Sequence, residues 1–251
     1  DHASHQNHWH PSTFMKVLIL SDLHSNIHAL EAIWARENDS DQIYCVGDLV
    51  DYGPYPKETL DWVRTHDVQS VQGNHDAWVS KLYRDTMALD NLPSEDRTWA
   101  EHNVSLLDES DITFLEQLPV TLTFSADGFS YALTHIYDKY REIKSLQQYE
   151  EFRQDRFSGA DYKRLLLGHT HRQAIRHLSD DLLWMNPGSC SYRRPDDMDQ
   201  TAHYATITDG TLSLGRVSYD HSVLFHVTQE LKLNEREHKH QWAWGPRDTP
   251  S

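Results

Sequence analysis

Lys16–Leu20 is a short apolar run, KVLIL, bounded by polar positions, which predicts a buried β-strand. Polar Ser21–Asn26 follows as a loop. Over Ile27–Glu37 the apolar residues Ile27, Leu30, Ile33 and Trp34 recur at helical spacing and predict an amphipathic helix. The alternation then repeats. Gln42–Val46 predicts a second strand, GDLVDYGPYP its loop and Lys57–Thr65 its helix, and Val68–Val71 a third, shorter strand ending in GNHD. Successive strand–loop–helix units imply a βαβαβ core with parallel strands. In open α/β sheets ligands sit at the carboxyl ends of the strands, which is where all three loops fall.

Trp78–Leu118 is mostly helical in pattern, with a break at Asn91-Leu92-Pro93-Ser94, and reads as a helical insertion over about 78–118 covering one side of the sheet. Beyond Pro119 the period changes to that of strands. These are Val120–Phe124, a turn at Asp127-Gly128, and Ser130–Thr134 leading to His135. A charged helical stretch covers Glu142–Arg156. Leu165–Leu167 delivers GHTH, Leu182–Met185 delivers NPGS, and Tyr204–Thr208 with Thr211–Val217 forms a hairpin across Asp209-Gly210. Asn186-Pro187-Gly188 reads as a turn. A last helix spans Ser222–Leu233. With no repeat or linker, residues 15–233 form one domain. Residues 1–14 carry His2, His5, His8 and His10 without a hydrophobic period, and read as an expression-derived or disordered leader. Residues 234–251 read as a polar C-terminal tail.

Composition narrows the class. With 251 residues, 38 % hydrophobic and 25 % charged, the chain is neither collagen-like, nor a disulfide scaffold, nor wholly disordered. A net charge of −16 predicts no membrane association and no non-specific nucleic-acid binding, so phosphate could be handled only at a local positive centre. Cys45 and Cys190 cannot make a disulfide framework, which points to a reducing, cytoplasmic setting. No apolar run approaches the roughly 18 residues of a spanning helix.

The polar residues that follow strands are Asp22 and His24, Asp48 and Asp51, Asn74, His75 and Asp76, His135, and His169 and His171. Carboxylate oxygens and imidazole nitrogens suit Mn²⁺, Fe, Zn²⁺ or Co²⁺, and the absence of thiolates excludes a cysteine-type structural zinc site. In D-x-H and H-x-H, residues two apart can face the same way. Glycines before Asp48, Asn74 and His169 let the chain turn at each strand end. Singly, each has an ordinary reading. Asp22 could cap a helix, Asp51 could order a turn, and His135 could be a core histidine. Jointly those readings leave unexplained why every one follows a strand.

The ordered motifs DLH, GDLVDYGP, GNHD, His135, GHTH and NPGS, spread over Met15–Asp220, resemble those of the calcineurin-like metallophosphoesterases, specifically the small bacterial and archaeal phosphodiesterase branch. The resemblance implies an α/β fold with a two-sheet β-sandwich core flanked by helices. It implies that Asp22, His24 and His171 bind a first metal and Asn74, His135 and His169 a second, with Asp48 bridging. It places His75 beside the substrate phosphate, held by Asp51. The cofactors expected are two divalent ions, Mn²⁺ foremost, with Fe, Zn, Co or Ni as alternatives. Two such ions bring about +4 against about −3 from Asp22, Asp48 and a hydroxide, leaving a locally positive site in an acidic protein. The activity implied is hydrolysis of phosphodiester or phosphoanhydride bonds of small nucleotides by a metal-activated hydroxide, with His75 protonating the leaving oxygen or stabilising the charge on the equatorial oxygens. The alternatives are a phosphomonoesterase or protein phosphatase of the same fold, or a catalytically silent protein-binding scaffold.

Two departures stand out. Ile136 and Tyr137 follow His135 where many relatives have Gly, and Cys190 stands where many have Val. Cys190 reads as a small buried residue. In the loop after NPGS, Arg193 could grip a second phosphate bidentately, and Tyr52, with Tyr55, offers a flat face for a base. Together these describe a nucleotide with more than one phosphate, such as a dinucleoside polyphosphate. The competing reading has Arg193 and Arg194 paired with Asp196, Asp197 or Asp199.

Overall fold

The structure, a computed structural model, describes residues 15–135, 142–191 and 197–231. The first sheet is built from β1 (Lys16–Leu20), β2 (Gln42–Cys45), β3 (Gln69–Ser70), β9 (Ala202–Thr208) and β10 (Thr211–Val217), in the order β10-β9-β1-β2-β3. β1 pairs in parallel with β2 and β2 with β3, while β9 and β10 join antiparallel. The second sheet runs β4-β5-β6-β8-β7, from β4 (Thr121–Ala126), β5 (Phe129–Thr134), β6 (Arg164–Leu167), β7 (Gln173–His177) and β8 (Leu183–Pro187). Its centre, β5, β6 and β8, is parallel and its two edges are antiparallel.

The period of two along each central strand sorts side chains into layers. Val17 and Ile19 of β1 meet Tyr131, Leu133, Leu166 and Met185 of the second sheet, forming the core between the sheets. Leu18 and Leu20 face the other way, onto Leu30 and Ile33 of α1 (Ile27–Glu37), Leu60 and Val63 of α2 (Pro56–Thr65), and Ile112 and Leu115 farther along the chain. Leu165, Leu167 and Trp184 form a third core with Tyr149 and Phe152 of α7 (Leu146–Phe157). The layers run helix, sheet, sheet, helix, as expected for a two-sheet sandwich. Cys190 is fully buried in the core beneath the first sheet, matching its reading as a small apolar residue.

Several boundaries differ from the sequence reading. The helical region opens at Asn74, so GNHD is the first turn of α3 (Asn74–Arg84) and not a loop ahead of it. It continues as α4 (Thr86–Asp90), α5 (Ser94–Leu106) and α6 (Glu109–Gln117). The extra breaks are made by Asp85 and Asp108, whose carboxylates cap α4 and α6. β7 was missing from the pattern because it is a half-exposed edge strand, QAIRH, without apolar alternation. Asn186 and Pro187 lie within β8, so the turn starts only at Gly188. The last helix, α8 (Ser222–Glu230), ends earlier than expected. The leader and the residues beyond 231 lie outside the described residues. Among the described residues no helix is long and apolar enough to cross a membrane.

Asp111 ties α6 to α2. Its fully buried carboxylate accepts from Lys57 Nζ at 3.0 Å and Arg64 Nη2 at 2.7 Å, and caps its own helix through the Asp108 N–H. Both cations are about one-third exposed, which limits the electrostatic part. Asp111→Ala is expected to lower stability by about 2 kcal/mol through the lost cap and the lost pairing with Lys57 and Arg64, read by denaturant unfolding.

Candidate metal centre

The strands of both sheets deliver their loops to a common edge. β1 leads to Asp22 and His24, β2 to Asp48, β3 to Asn74, β5 to His135, and β6 to His169 and His171. The loops are bonded together as an extension of the sheets: Asp22 N–H to Gly47 O at 2.9 Å, His24 N–H to Asp48 O at 3.1 Å, and Cys190 N–H to Ser21 O at 3.0 Å. Ser189 Oγ donates to Asp22 O at 2.8 Å, so the NPGS segment supports the loop of Asp22 and His24.

Of the three glycines expected to permit sharp turns, only Gly47 is left-handed, at φ +89. Gly73 has an ordinary φ of −91 and serves a different need: a Cβ there would stand 2.1 Å from Asp48 Oδ1. That close approach lets the first turn of α3 reach Asp48. His75 N–H donates to Asp48 Oδ1 at 2.8 Å, which turns Oδ2 toward the histidines.

Two ligand clusters result. Asp22, His24 and His171 form one, and Asp48, His135 and His169 the other, each group offering atoms that lie within 4.8 Å of one another. Asn74 Oδ1 joins the second, 3.1 Å from both His135 Nε2 and His169 Nδ1. The clusters adjoin at Asp48, whose Oδ2 is 3.0 Å from His135 Nε2 and 4.0 Å from His24 Nε2. Asp22, His24 and Asp48 are at most 1 % exposed. All seven residues expected as metal ligands are thus brought together.

The donor set fits divalent metal ions. His24 Nδ1–H donates to Asp51 O at 2.9 Å and His135 Nδ1–H to Val46 O at 2.6 Å. Both tautomers are thereby set, and both Nε2 lone pairs face the clusters, the usual arrangement of metal-binding histidines. Buried Asp22 Oδ1 receives no hydrogen bond from the described residues, while imidazole nitrogens surround it, His171 Nε2 at 3.1 Å and His24 Nε2 at 3.7 Å. The electrostatics agree. Burial alone would raise the Asp22 carboxyl, but His171 and the other imidazoles hold it well below the carboxylate range, and His135 and His75 do the same for Asp48. Burial alone would lower His135; the charge of Asp48 outweighs it and pushes the ring up to about 10. Such a cluster holds protons or cations, and metal binding releases the protons.

His75 and Asp51 form a separate pair, Nδ1–H donating to Oδ2 at 2.7 Å. Burial opposes protonation of His75, but the charges of Asp48 and Asp51 push it up to about 9. Tyr52 packs beside it, ring centroids 4.3 Å apart, next to a cluster of Tyr55, Trp99 and Leu224. Arg193 lies outside the described residues. In the site loops, eight residues other than glycine, Asp22, His24, Ser25, Asp48, Asp51, Tyr52, His169 and His171, have positive φ, between +46 and +71.

Two residues of the site escaped the sequence reading. Asp76, noted only as part of GNHD, is fully buried and accepts from the N–H groups of Asp48, Leu49, Val50 and Gly73 at 2.7–3.3 Å, binding the loop of Asp48 to α3. An acidic residue at the third position of a helix was the signal that could have revealed it. Asn103 of α5, also fully buried, had no local signal at all.

Carboxylate–imidazole clusters at the joint carboxyl edge of two stacked sheets define a metal-binding α/β protein. A family model, that of the calcineurin-like phosphoesterase superfamily domain, matches residues 15–210, and the chain belongs to this superfamily, whose class is that of metal-dependent hydrolases. Over 223 residues, 81 % of this chain and 88 % of the relative, it is 26 % identical to the uncharacterized protein MJ0912 of Methanocaldococcus jannaschii. Its fold is similar to that of a metallophosphoesterase from Sphaerobacter thermophilus, with TM-score 0.72 and 24 % identity over 92 % of this chain and 100 % of that one. It is also similar to that of hypothetical protein PH1004 from Pyrococcus horikoshii, with TM-score 0.74 and 18 % identity over 90 % and 96 %.

Proposed function

We propose that the protein is a two-metal phosphoesterase that hydrolyses phosphodiester or phosphoanhydride bonds of small nucleotides. The observation that supports this reading is the position of Asp48 Oδ2 between His135 and His24, at the junction of the two ligand clusters. In this reading Asp22, His24 and His171 hold one divalent ion, Asn74, His135 and His169 hold another, and Asp48 serves both. The all-N/O donor set suits Mn²⁺, with Fe, Zn, Co or Ni as alternatives. When bound, such ions polarise phosphoryl oxygens and acidify water.

The remaining chemistry belongs to the chain. His24 and His135 keep their Nε2 lone pairs available because backbone carbonyls bind Nδ1–H. His75, its Nδ1 committed to Asp51, carries its transferable proton on Nε2. As the P–O bond to the leaving group breaks and water adds to phosphorus, that proton passes to the departing oxygen, while Asp51 keeps the ring aligned. Tyr52 and Tyr55 supply an aromatic flank for a base, and Arg193 a grip on a second phosphate, which together favour dinucleoside polyphosphates. The two free, buried cysteines agree with action in the cytoplasm.

The test measures metal content and turnover together, on bis(4-nitrophenyl) phosphate and on a dinucleoside tetraphosphate. Metal-dependent turnover of both is expected. Arg193→Ala should raise KM for the polyphosphate about tenfold more than for the diester, as removal of one bidentate phosphate contact would. Equal effects on the two substrates leave a phosphodiesterase without the distal grip.

A further inference from the structure

The Asp51 carboxylate is held from one side only. Its Oδ2 accepts from His75, whereas its buried Oδ1 accepts no hydrogen bond from any described residue. Its direction therefore comes from the Asp51 main chain, which stands at φ +69. A residue other than glycine keeps such a conformation only where its surroundings over-determine it.

Those surroundings come from α5, a helix that carries none of the expected ligands. Asn103 Oδ1 accepts from Asp51 N–H at 3.0 Å and from Ser25 Oγ at 2.7 Å, while Ser25 Oγ also accepts from Asp51 N–H at 3.1 Å. Asn103 Nδ2 donates to Gly53 O at 3.0 Å and to Trp99 O at 3.1 Å. The buried carboxamide thus uses two acceptor and two donor positions, its full complement. Its neighbour His102 donates through Nε2 to Pro54 O at 2.8 Å. The 51–55 loop has little room to move: a Cβ at Gly53 would lie 1.9 Å from His24 O.

We propose that Asn103 is a positioning residue, which sets the Asp51 main chain and through it aims the carboxylate that orients His75. This rests on the proton-donating role of His75 proposed above. Losing the carboxamide leaves the Asp51 N–H with Ser25 Oγ alone and takes a partner from the Ser25 hydroxyl and the Gly53 carbonyl, and the loop shifts to recover them. Asp48 shares this loop but is anchored separately, through the N–H groups of Asp48, Leu49 and Val50 on Asp76, and the other candidate ligands lie on other segments, so they stay in place even where His24 must follow its bond to Asp51 O.

The test is a double-mutant cycle between Asn103→Ala and His75→Ala in the full chain saturated with Mn²⁺. Asn103→Ala is expected to lower kcat about 10–100-fold for an ester with a nucleoside leaving group, the usual scale for a misaimed catalytic group. Metal content and KM stay close to those of the parent, and the loss falls to a few-fold for a nitrophenyl diester, which needs little protonation. In the His75→Ala background the same substitution should cost less than about twofold, since the group it positions is gone. A merely structural role would lower activity by the same factor in both backgrounds and for both leaving groups; either result overturns the proposal. If Asn103→Ala does not fold, Asn103→Ser carries the same cycle. If His75→Ala alone has no effect on kcat, the reading of His75 fails and the proposal falls with it; if His75→Ala is impaired and the cycle is additive, only the assignment of Asn103 fails.

Discussion

Asp48→Asn is expected to empty both ligand clusters and to lower kcat/KM on the order of 10³-fold or more, the scale set by several kcal/mol of lost metal stabilisation. The substitution keeps the shape of the side chain and an oxygen for the His75 N–H, which sits 2.8 Å from Oδ1. It removes the anionic oxygen that faces His135 at 3.0 Å and His24 at 4.0 Å. A neutral amide there can neither balance nor share two dications. Chelation of the parent protein should abolish turnover in the same way, and Mn²⁺ should restore the parent but not the variant. Elemental analysis of the variant decides the point. Loss of one ion with retention of the other would show that Asp48 serves a single site, and full turnover in a chelated sample would remove the metals from the mechanism.

His75→Ala carries the second large effect, a fall in kcat of about 10²–10⁴-fold with both ions retained. The ring stands 5.2 Å from His24 by centroids, and among the described residues its one side-chain hydrogen bond goes to Asp51. Removing it takes away a proton and leaves the metal-binding groups in place. The deficit should therefore shrink as the leaving group improves, and Asp51→Asn should reproduce it more mildly by loosening the ring. A series of substrates graded by leaving-group pKa measures this directly. Loss of metal from His75→Ala would make His75 a ligand and would sink its assignment as a proton donor.

The first strand–helix unit was readable because its strand is buried on both faces. KVLIL is continuously apolar, and its strand and helix boundaries, Lys16–Leu20 and Ile27–Glu37, match the pattern residue for residue. The edge strand β7 was not readable, since half-exposed residues have no period to show. In the site the same division holds. The candidate ligand residues sit directly after strands and announce themselves by chemistry and position. Asn103 touches residues 50 to 78 positions away, and nothing near it in sequence marks a polar residue in a helix as the keeper of a distant loop. The start of α3 at Asn74 was missed for a related reason: Gly73 looked like a turn residue, while its actual task is to let Asp48 come close.

The left-handed backbone at Asp22, His24, Asp48, His169 and His171 doubles the selection on these positions. Aspartate, asparagine and histidine are the side chains that bear this conformation best after glycine, and all three are also among the candidate oxygen and nitrogen donors of the clusters. Drift at these positions should accordingly stay within Asp, Asn, His and Gly, even in descendants that have given up the chemistry. The same constraint governs transplantation of the site. A scaffold that supplies the right side chains on right-handed or extended loops would miss the geometry, because here five of the seven candidate ligands are aimed by a left-handed φ before any rotamer is chosen.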